Sequence, residues 1–327
     1  MRRWTEMIAA RQPWRRVVAD AGLHALAALA DRLPALRRRM ADCTLVRDVE
    51  YARRGPQRLT LDVVRPAGTG PWPVIVYFHG GAFAIASKRT HRALAAAYAS
   101  QGHLVCNVDY RLAPMHPFPA AAEDACAAWQ WVVDQVAAFG GDPARMAVAG
   151  ESAGANLALV VALACCTRRP EPWAAALFDR GARPAAVLLS CGYLQVSAPE
   201  RYRRPGVPAL AARIARDAAR SYLGTAQGGA GTALADPLLV VEALGAGATL
   251  PPVFVAAGGT DPARPDSLRL VQALERLGLP CEAHDYAGQM HAFHLLFWRP
   301  QARQCWRDSF AFLRRHLAAP ALLEAAA

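Results

Sequence analysis

The residues best equipped for chemistry are Gly150-Glu151-Ser152-Ala153-Gly154, set between the apolar run Met146–Ala149 and a helix-like run, Ala155–Cys165. A serine on a sharp strand-to-helix turn can act as a nucleophile, with its hydroxyl raised above a sheet. Such a turn is strained and needs small neighbours. Gly150 and Gly154 supply the room, and the amide of Ala153 opens the helix toward whatever Ser152 attacks. A second candidate, His79-Gly80-Gly81-Ala82, follows the apolar run Val74–Phe78 directly. Its glycines let the backbone turn two amides toward a neighbouring site, where, with that of Ala153, they could hold a tetrahedral oxyanion. His79 itself reads as a loop-ordering hydrogen bonder rather than a general base.

A serine nucleophile needs a base, and the base needs an orienting acid. Asp261 follows the run Val253–Ala257 through a Gly258-Gly259 turn, and His291 follows Cys281–Tyr286 through Gly288-Gln289-Met290. Both therefore leave the same end of a parallel sheet as Ser152, in the chain order Ser, Asp, His. Asp266 and Asp285 compete for the acid role, and His284 and His294 for the base. Asp266 falls in the first turn of the next helix, where acids usually serve the helix dipole. His284 and Asp285 lie within a strand, which suits packing. His294, three residues beyond His291, stays a second choice.

The elements that must position these residues read as an alternation. Helical segments rich in Ala, Leu and Arg fill residues 1–45, interrupted by Pro13 and Pro34. Short β-type runs follow at Leu45–Tyr51 and Leu59–Val64. Apolar strands come next at Val74–Phe78, Leu104–Val108, Met146–Ala149, Val187–Leu189 and Val253–Ala257. A last strand is expected at Cys281–Tyr286 and a C-terminal helix at about Gln301–Leu317. Continuous apolar strands between helices argue for a parallel sheet covered on both faces. The Arg-rich segment Ser197–Gly231 breaks the rhythm, as an insertion placed to cover a site would. No internal repeat is visible.

The sequence resembles the hormone-sensitive-lipase-like group of α/β-hydrolase carboxylesterases, known by its HGGG motif. The matching residues are His79–Ala82, Asp109-Tyr110-Arg111-Leu112-Ala113-Pro114, His116-Pro117-Phe118-Pro119-Ala120-Ala121, Glu123-Asp124, and Gly150–Gly154 with Asn156-Leu157-Ala158. Asp261-Pro262 and His291-Ala292-Phe293 complete the likeness, which spans roughly residues 74–295. It implies an α/β-hydrolase fold: a mostly parallel eight-stranded sheet with helices on both faces and a helical cap. Residues 1–45 and 197–231 would form the cap, and residues 46–196 and 232–320 the core. It further implies Ser152 as nucleophile, His291 as base, Asp261 as orienting acid, and Gly80, Gly81 and Ala153 as oxyanion donors. Asp109, Arg111, Glu123 and Asp124 are read as structural ties behind the site. The chain departs from the family where it has Ala82 and Ala292 in place of glycine, and Met115 and Pro265 where acids are common. Ala82 is expected to tighten the acyl or alcohol side of the pocket.

Composition leaves this reading room. The 327 residues are 54% hydrophobic and 19% charged, which rules out disorder as the main state. The apolar stretch Val17–Ala30, broken by Asp20 and His24, is too short to cross a bilayer. The net charge of +11 is almost wholly arginine, Lys88 being the one lysine. No zinc spacing, RNP-like aromatic run or basic heptad accompanies it, so nucleic acid is not the expected partner. The eight cysteines show neither disulfide nor metal spacing. With no apolar leader before a small-residue cleavage site, a reduced, cytoplasmic protein is expected. The expected function is hydrolysis of short- to medium-chain carboxylic esters through an acyl-enzyme, with no metal and no cofactor. The expected partner is a small-molecule ester, with no nucleic acid, no stable membrane insertion, and a homodimer left open. An amidase or formamidase using the same trio is the alternative, and a non-catalytic binder on this fold a weaker one.

Overall fold

In the computed structural model the described residues are 13–30, 32, 34–203, 205–225 and 231–319. The expected helical start over residues 1–12 lies outside them. Helix α1 (Pro13–Ala30) and α2 (Pro34–Ala41) each begin on a proline, so these residues start helices instead of interrupting one. Proline lacks the N–H that a first helical turn leaves unpaired anyway. Strands β1 (Cys43–Arg54) and β2 (Gln57–Pro66) form an antiparallel hairpin turning at Gly55, whose φ is +56°. Pairing from Cys43↔Pro66 to Arg54↔Gln57 carries both strands beyond the apolar runs that mark them in the sequence.

Beyond the hairpin the chain alternates: β3 (Trp72–Phe78), α3 (Arg92–Ala99), β4 (Leu104–Val108), α4 (Ala120–Gln135), β5 (Gly141–Glu151) and α5 (Ala153–Cys166). Then come α6 (Pro172–Arg180), β6 (Ala186–Ser190), α7 (Ala209–Leu223), α8 (Pro237–Glu242), β7 (Val253–Gly258), α9 (Arg264–Arg276), β8 (Cys281–Tyr286) and α10 (Pro300–His316). Among the described residues eight strands make one sheet, in the order β1-β2-β4-β3-β5-β6-β7-β8. From β4 to β8 every neighbouring pair is parallel, while β1–β2 and β2–β4 are antiparallel. Strands β4 and β7 are buried along their whole length, as near-continuous apolar runs require of strands covered on both faces; the one polar residue, Asn107 of β4, donates to the Lys88 carbonyl at 2.8 Å. Edge strand β8 carries partly exposed Glu282 and His284 and exposed Asp285, polar side chains that discourage pairing with another chain.

Two apolar clusters flank the sheet. One packs Trp129 of α4 and Leu157 and Val161 of α5 against Val74, Val76 and Val148. The other packs Tyr98 of α3 and Trp306 and Phe312 of α10 against Ile75, Ala147 and Phe254. Helix α5 is buried at every residue, which explains why its sequence is apolar all round. Among the described residues, no helix is long and apolar enough to cross a membrane.

The segment between β6 and β7 does carry a helix, α7, which lies against the glycine-rich loop after β3. Tyr222 of α7 stacks on Phe83, with ring centroids 3.7 Å apart, and its carbonyl accepts from the amide of Phe118 at 2.6 Å. Helix α1 reaches the same loop: Asp20 accepts from the amide of Ala86 at 2.8 Å, and Arg16 hydrogen-bonds Ser221 of α7.

Candidate active site

Ser152 sits at the turn from β5 to α5 with φ 51° and ψ −116°, a conformation a side-chain-bearing residue adopts only under constraint. Such strain costs ~1–3 kcal/mol and persists only when the surroundings fix it. Here they do. The Ser152 amide donates to Ser190 O at 2.9 Å, and its carbonyl accepts from Tyr193 N at 3.1 Å and Asn156 N at 3.3 Å. The Asn156 side-chain amide in turn donates to the carbonyls of Tyr193 and Ala235, each at 3.1 Å. A Cβ on Gly154 would lie 2.6 Å from the His79 carbonyl oxygen and closer still to that of Phe78. A glycine is therefore required where α5 crosses the end of β3.

The structure brings the sequence-predicted trio together. Ser152 Oγ lies 3.0 Å from His291 Nε2, and His291 Nδ1 lies 2.9 Å from each carboxylate oxygen of Asp261. Asp261 is buried, and its Oδ1 also accepts from Ala263 N at 2.8 Å, so the acid is held from two directions. Burial works against a charge on His291, but the hydrogen bond and charge of Asp261 outweigh it and raise the imidazole above its ordinary value. Carboxylate, imidazole and hydroxyl thus form one hydrogen-bonded line from the interior to the turn, the arrangement that lets a serine lose its proton as it attacks.

The three amides expected to face an oxyanion are free to do so. Among the described residues, no backbone carbonyl accepts from Gly80, Gly81 or Ala153. Gly81 has φ +112°, which only glycine adopts readily, and a Cβ on Gly80 would come within 2.7 Å of Glu151 Oε1. Ala82 and Ala292, where the chain departs from its family, have φ of 54° and 56°. The departure therefore bears on the backbone: alanine stands where left-handed geometry favours glycine.

The competing residues are elsewhere employed. Asp285 is exposed and paired with Arg264, and His284 hydrogen-bonds Glu282 at 2.9 Å. Asp266 lies in the first turn of α9 as expected, but it does more than face a dipole. Fully buried, it accepts from the amides of Leu194 at 2.9 Å and Gln195 at 3.0 Å and pairs with Arg201, pinning the chain after β6. His294 is buried on the far side of the turn, with Nε2 2.8 Å from Glu151 Oε2. His79 stacks on Tyr110 at 4.3 Å, with Nδ1 2.7 Å from the Gly80 carbonyl; burial, then repulsion from His91, pushes it down to about 3. Arg111 joins Asp124 at 2.8 Å and Glu123 at 3.0 Å, and Asp109 accepts from Lys88 N at 2.6 Å.

Two neighbours of the trio carry no signal in the sequence. Cys191, buried at φ 50°, places its sulfur within 4.8 Å of ligand-type atoms of Asp261 and His291. Burial, then the charge of Asp261, pushes its thiol up. Glu151, the variable residue before the nucleophile, is buried between His91 and His294.

Comparison with known proteins agrees with this geometry. The profile of a family with the α/β-hydrolase fold matches residues 75–295. The chain is 34% identical over 227 residues to an esterase of Mycobacterium tuberculosis, LipI, covering 68% of this chain and 65% of that one. It is 31% identical over 254 residues to the carboxylesterase NlhH of the same species, covering 75% of this chain and 74% of that one. A bacterial heroin esterase superposes with a TM-score of 0.76 at 25% identity, over 95% of this chain and 93% of its own. The thermostable carboxylesterase EstE1, cloned from a metagenomic library, gives 0.76 at 26% identity, over 95% and 99%. The chain thus belongs to the α/β-hydrolase family, in its hormone-sensitive-lipase-like group of carboxylic ester hydrolases.

Proposed function

We propose that this enzyme is a serine carboxylesterase that cleaves short- to medium-chain carboxylic esters through an acyl-enzyme on Ser152. The unbroken line Ser152–His291–Asp261, at 3.0 and 2.9 Å, is the observation that carries this reading. As Ser152 Oγ attacks the ester carbonyl, its proton passes to His291 Nε2, and Asp261 holds the imidazole by Nδ1. The oxyanion that develops takes hydrogen bonds from the amides of Gly80, Gly81 and Ala153. His291 then gives its proton to the leaving alkoxide, which departs as an alcohol. Water, deprotonated by the same nitrogen, attacks the acyl-serine, releases the carboxylic acid and restores the hydroxyl.

The cap is assigned to the N-terminal helices and to Ser197–Gly231, over a core of residues 46–196 and 232–320. Support comes from the contacts of α1 and α7 with the loop at Phe83 and Ala86. In this reading the stacked, fully buried Phe83 and Tyr222, where α7 meets the loop after β3, close one end of the acyl space. Each buried methylene gains ~0.8 kcal/mol, whereas overfilling a closed pocket costs ~1–3 kcal/mol. A cytoplasmic site of action accords with eight unpaired cysteines, most of them buried as small hydrophobes. A series of p-nitrophenyl esters from acetyl to dodecanoyl tests the reading. We expect kcat/KM to peak at roughly four to six acyl carbons and to fall about tenfold, one ~1.4 kcal/mol step, by ten. A steady rise through dodecanoyl would instead mean an open lipid-binding groove.

A further inference from the structure

Glu151 occupies the point where three loops of the site meet. It ends β5 beside Ser152, and its side chain is 5% exposed. Its Oε1 accepts from His91 Nε2 at 2.8 Å, and His91 stands at the start of α3, beyond the glycine-rich loop. Its Oε2 lies 2.8 Å from Nε2 of His294, within the turn that presents His291. That second pair is close without being aligned as a hydrogen bond. The same Oε1 packs under Gly80, so closely that a Cβ there would meet it at 2.7 Å. His294 is anchored from behind, its carbonyl accepting from Trp306 Nε1 at 2.9 Å. One buried carboxylate thus touches the nucleophile's own segment, an oxyanion donor and the loop of the base.

We propose that Glu151, acting through His91 and His294, is a positioning residue and the internal counter-charge of the reaction. It holds the Gly80 amide and the His291 ring in register with Ser152, and it favours the positive charge His291 gains on accepting the serine proton. This rests on the esterase reading above. A buried carboxylate is tolerated only when paired, and two imidazoles at 2.8 Å supply that pairing. Burial alone would neutralise Glu151, but His91 and His294 beside it outweigh that and hold its carboxyl well below the usual range. His291 feels the same charge, after that of Asp261. The other titratable groups around Glu151 are His79 from the glycine-rich loop, Tyr77 of β3, Tyr98 of α3, and Tyr110. On its other side His291 faces Asp261 and Cys191.

The test compares Glu151→Gln, which keeps shape and removes charge, with Glu151→Asp, which keeps charge, using p-nitrophenyl butyrate. Help given mainly to the transition state should appear in kcat. We expect Glu151→Gln to lower kcat about 10- to 100-fold with KM changed less than about threefold, and to move the acid limb of kcat/KM down by roughly half a pH unit or more. Glu151→Asp should keep the limb near its wild-type position. Wild-type kcat and limb in Glu151→Gln, or equal losses in both variants with the limb unmoved, would reduce Glu151 to packing and overturn the proposal. If Glu151→Gln does not fold, His294→Gln reads the same contact from the other side. A kcat loss at unchanged KM supports the proposal, and wild-type kcat overturns it. A wild-type protein inert toward every ester would instead sink the esterase reading itself, and this inference with it.

Discussion

Gly154→Ala puts one methyl group at the crossing of α5 over the end of β3. The new Cβ would lie 2.6 Å from the His79 carbonyl oxygen and closer to that of Phe78, both backbone atoms that no side-chain rotation can move aside. Ordinary van der Waals contact needs 3.4 Å or more, so the strand end and the helix start must part by more than 1 Å. The segment that moves is the one leading into Gly80 and Gly81, while Ser152 is held by Ser190, Tyr193 and Asn156. Donors and nucleophile then separate. A 1 Å misplacement costs on the order of 10²-fold in rate, ~2.7 kcal/mol of barrier, and overpacking adds ~1–3 kcal/mol to the cost of folding. The assay is kcat/KM on p-nitrophenyl butyrate beside a urea melt, with Gly22→Ala as the control. Gly22 lies within α1, and a Cβ there meets nothing within 4 Å, so that change should leave activity alone and stabilise by up to ~1 kcal/mol. Gly154→Ala with kcat/KM within about threefold of wild type would refute the argument that this crossing sets the donors.

The same geometry carries three further outcomes. His291 must be neutral to take the serine proton, and Asp261 raises it above 6.5, so activity should fall as pH drops through a midpoint above that value. Asp261→Asn should lower kcat by ~10⁴-fold and move the midpoint below the wild-type value; a pH–rate profile showing no shift would contradict the role given to the carboxylate. Ala292 has φ 56° and ψ 27°, where a non-glycine residue loses ~1–2 kcal/mol and glycine would lose ~0.5–1 kcal/mol through the unfolded chain. Ala292→Gly should therefore raise the melting temperature by up to a few degrees, and a lower one would show that the alanine is not strained.

What was legible in the sequence is what is local. The turn around Ser152 announces itself because the residues that permit it, Gly150 and Gly154, are its neighbours in the chain, with a strand before and a helix after. Asp261 and His291 could be placed at one end of the sheet because strand direction follows from the parallel alternation. Choosing between His291 and His294 was beyond sequence spacing, because the two lie three residues apart in one turn. Tertiary structure turns one toward Ser152 and the other toward Glu151. Glu151 and Cys191 were invisible for the same reason: their partners come from α3, the His291 loop and Asp261. Asp266 was read from its helix position alone, and only the fold brings Leu194, Gln195 and Arg201 to it. In the sequence Ala82 reads as the added volume of a methyl group, whereas the backbone angles of Ala82 and Ala292 carry the consequence.

The central claim is that Ser152 takes the acyl group, and trapping that intermediate tests it most directly. Wild-type protein mixed with p-nitrophenyl butyrate and quenched in acid should show one added butyryl group, located by peptide mass at Ser152. Ser152→Ala should show none and should lose up to ~10⁶-fold in turnover while keeping its fold. A butyryl group on another residue, or more than a hundredth of wild-type turnover left in Ser152→Ala, would contradict the account.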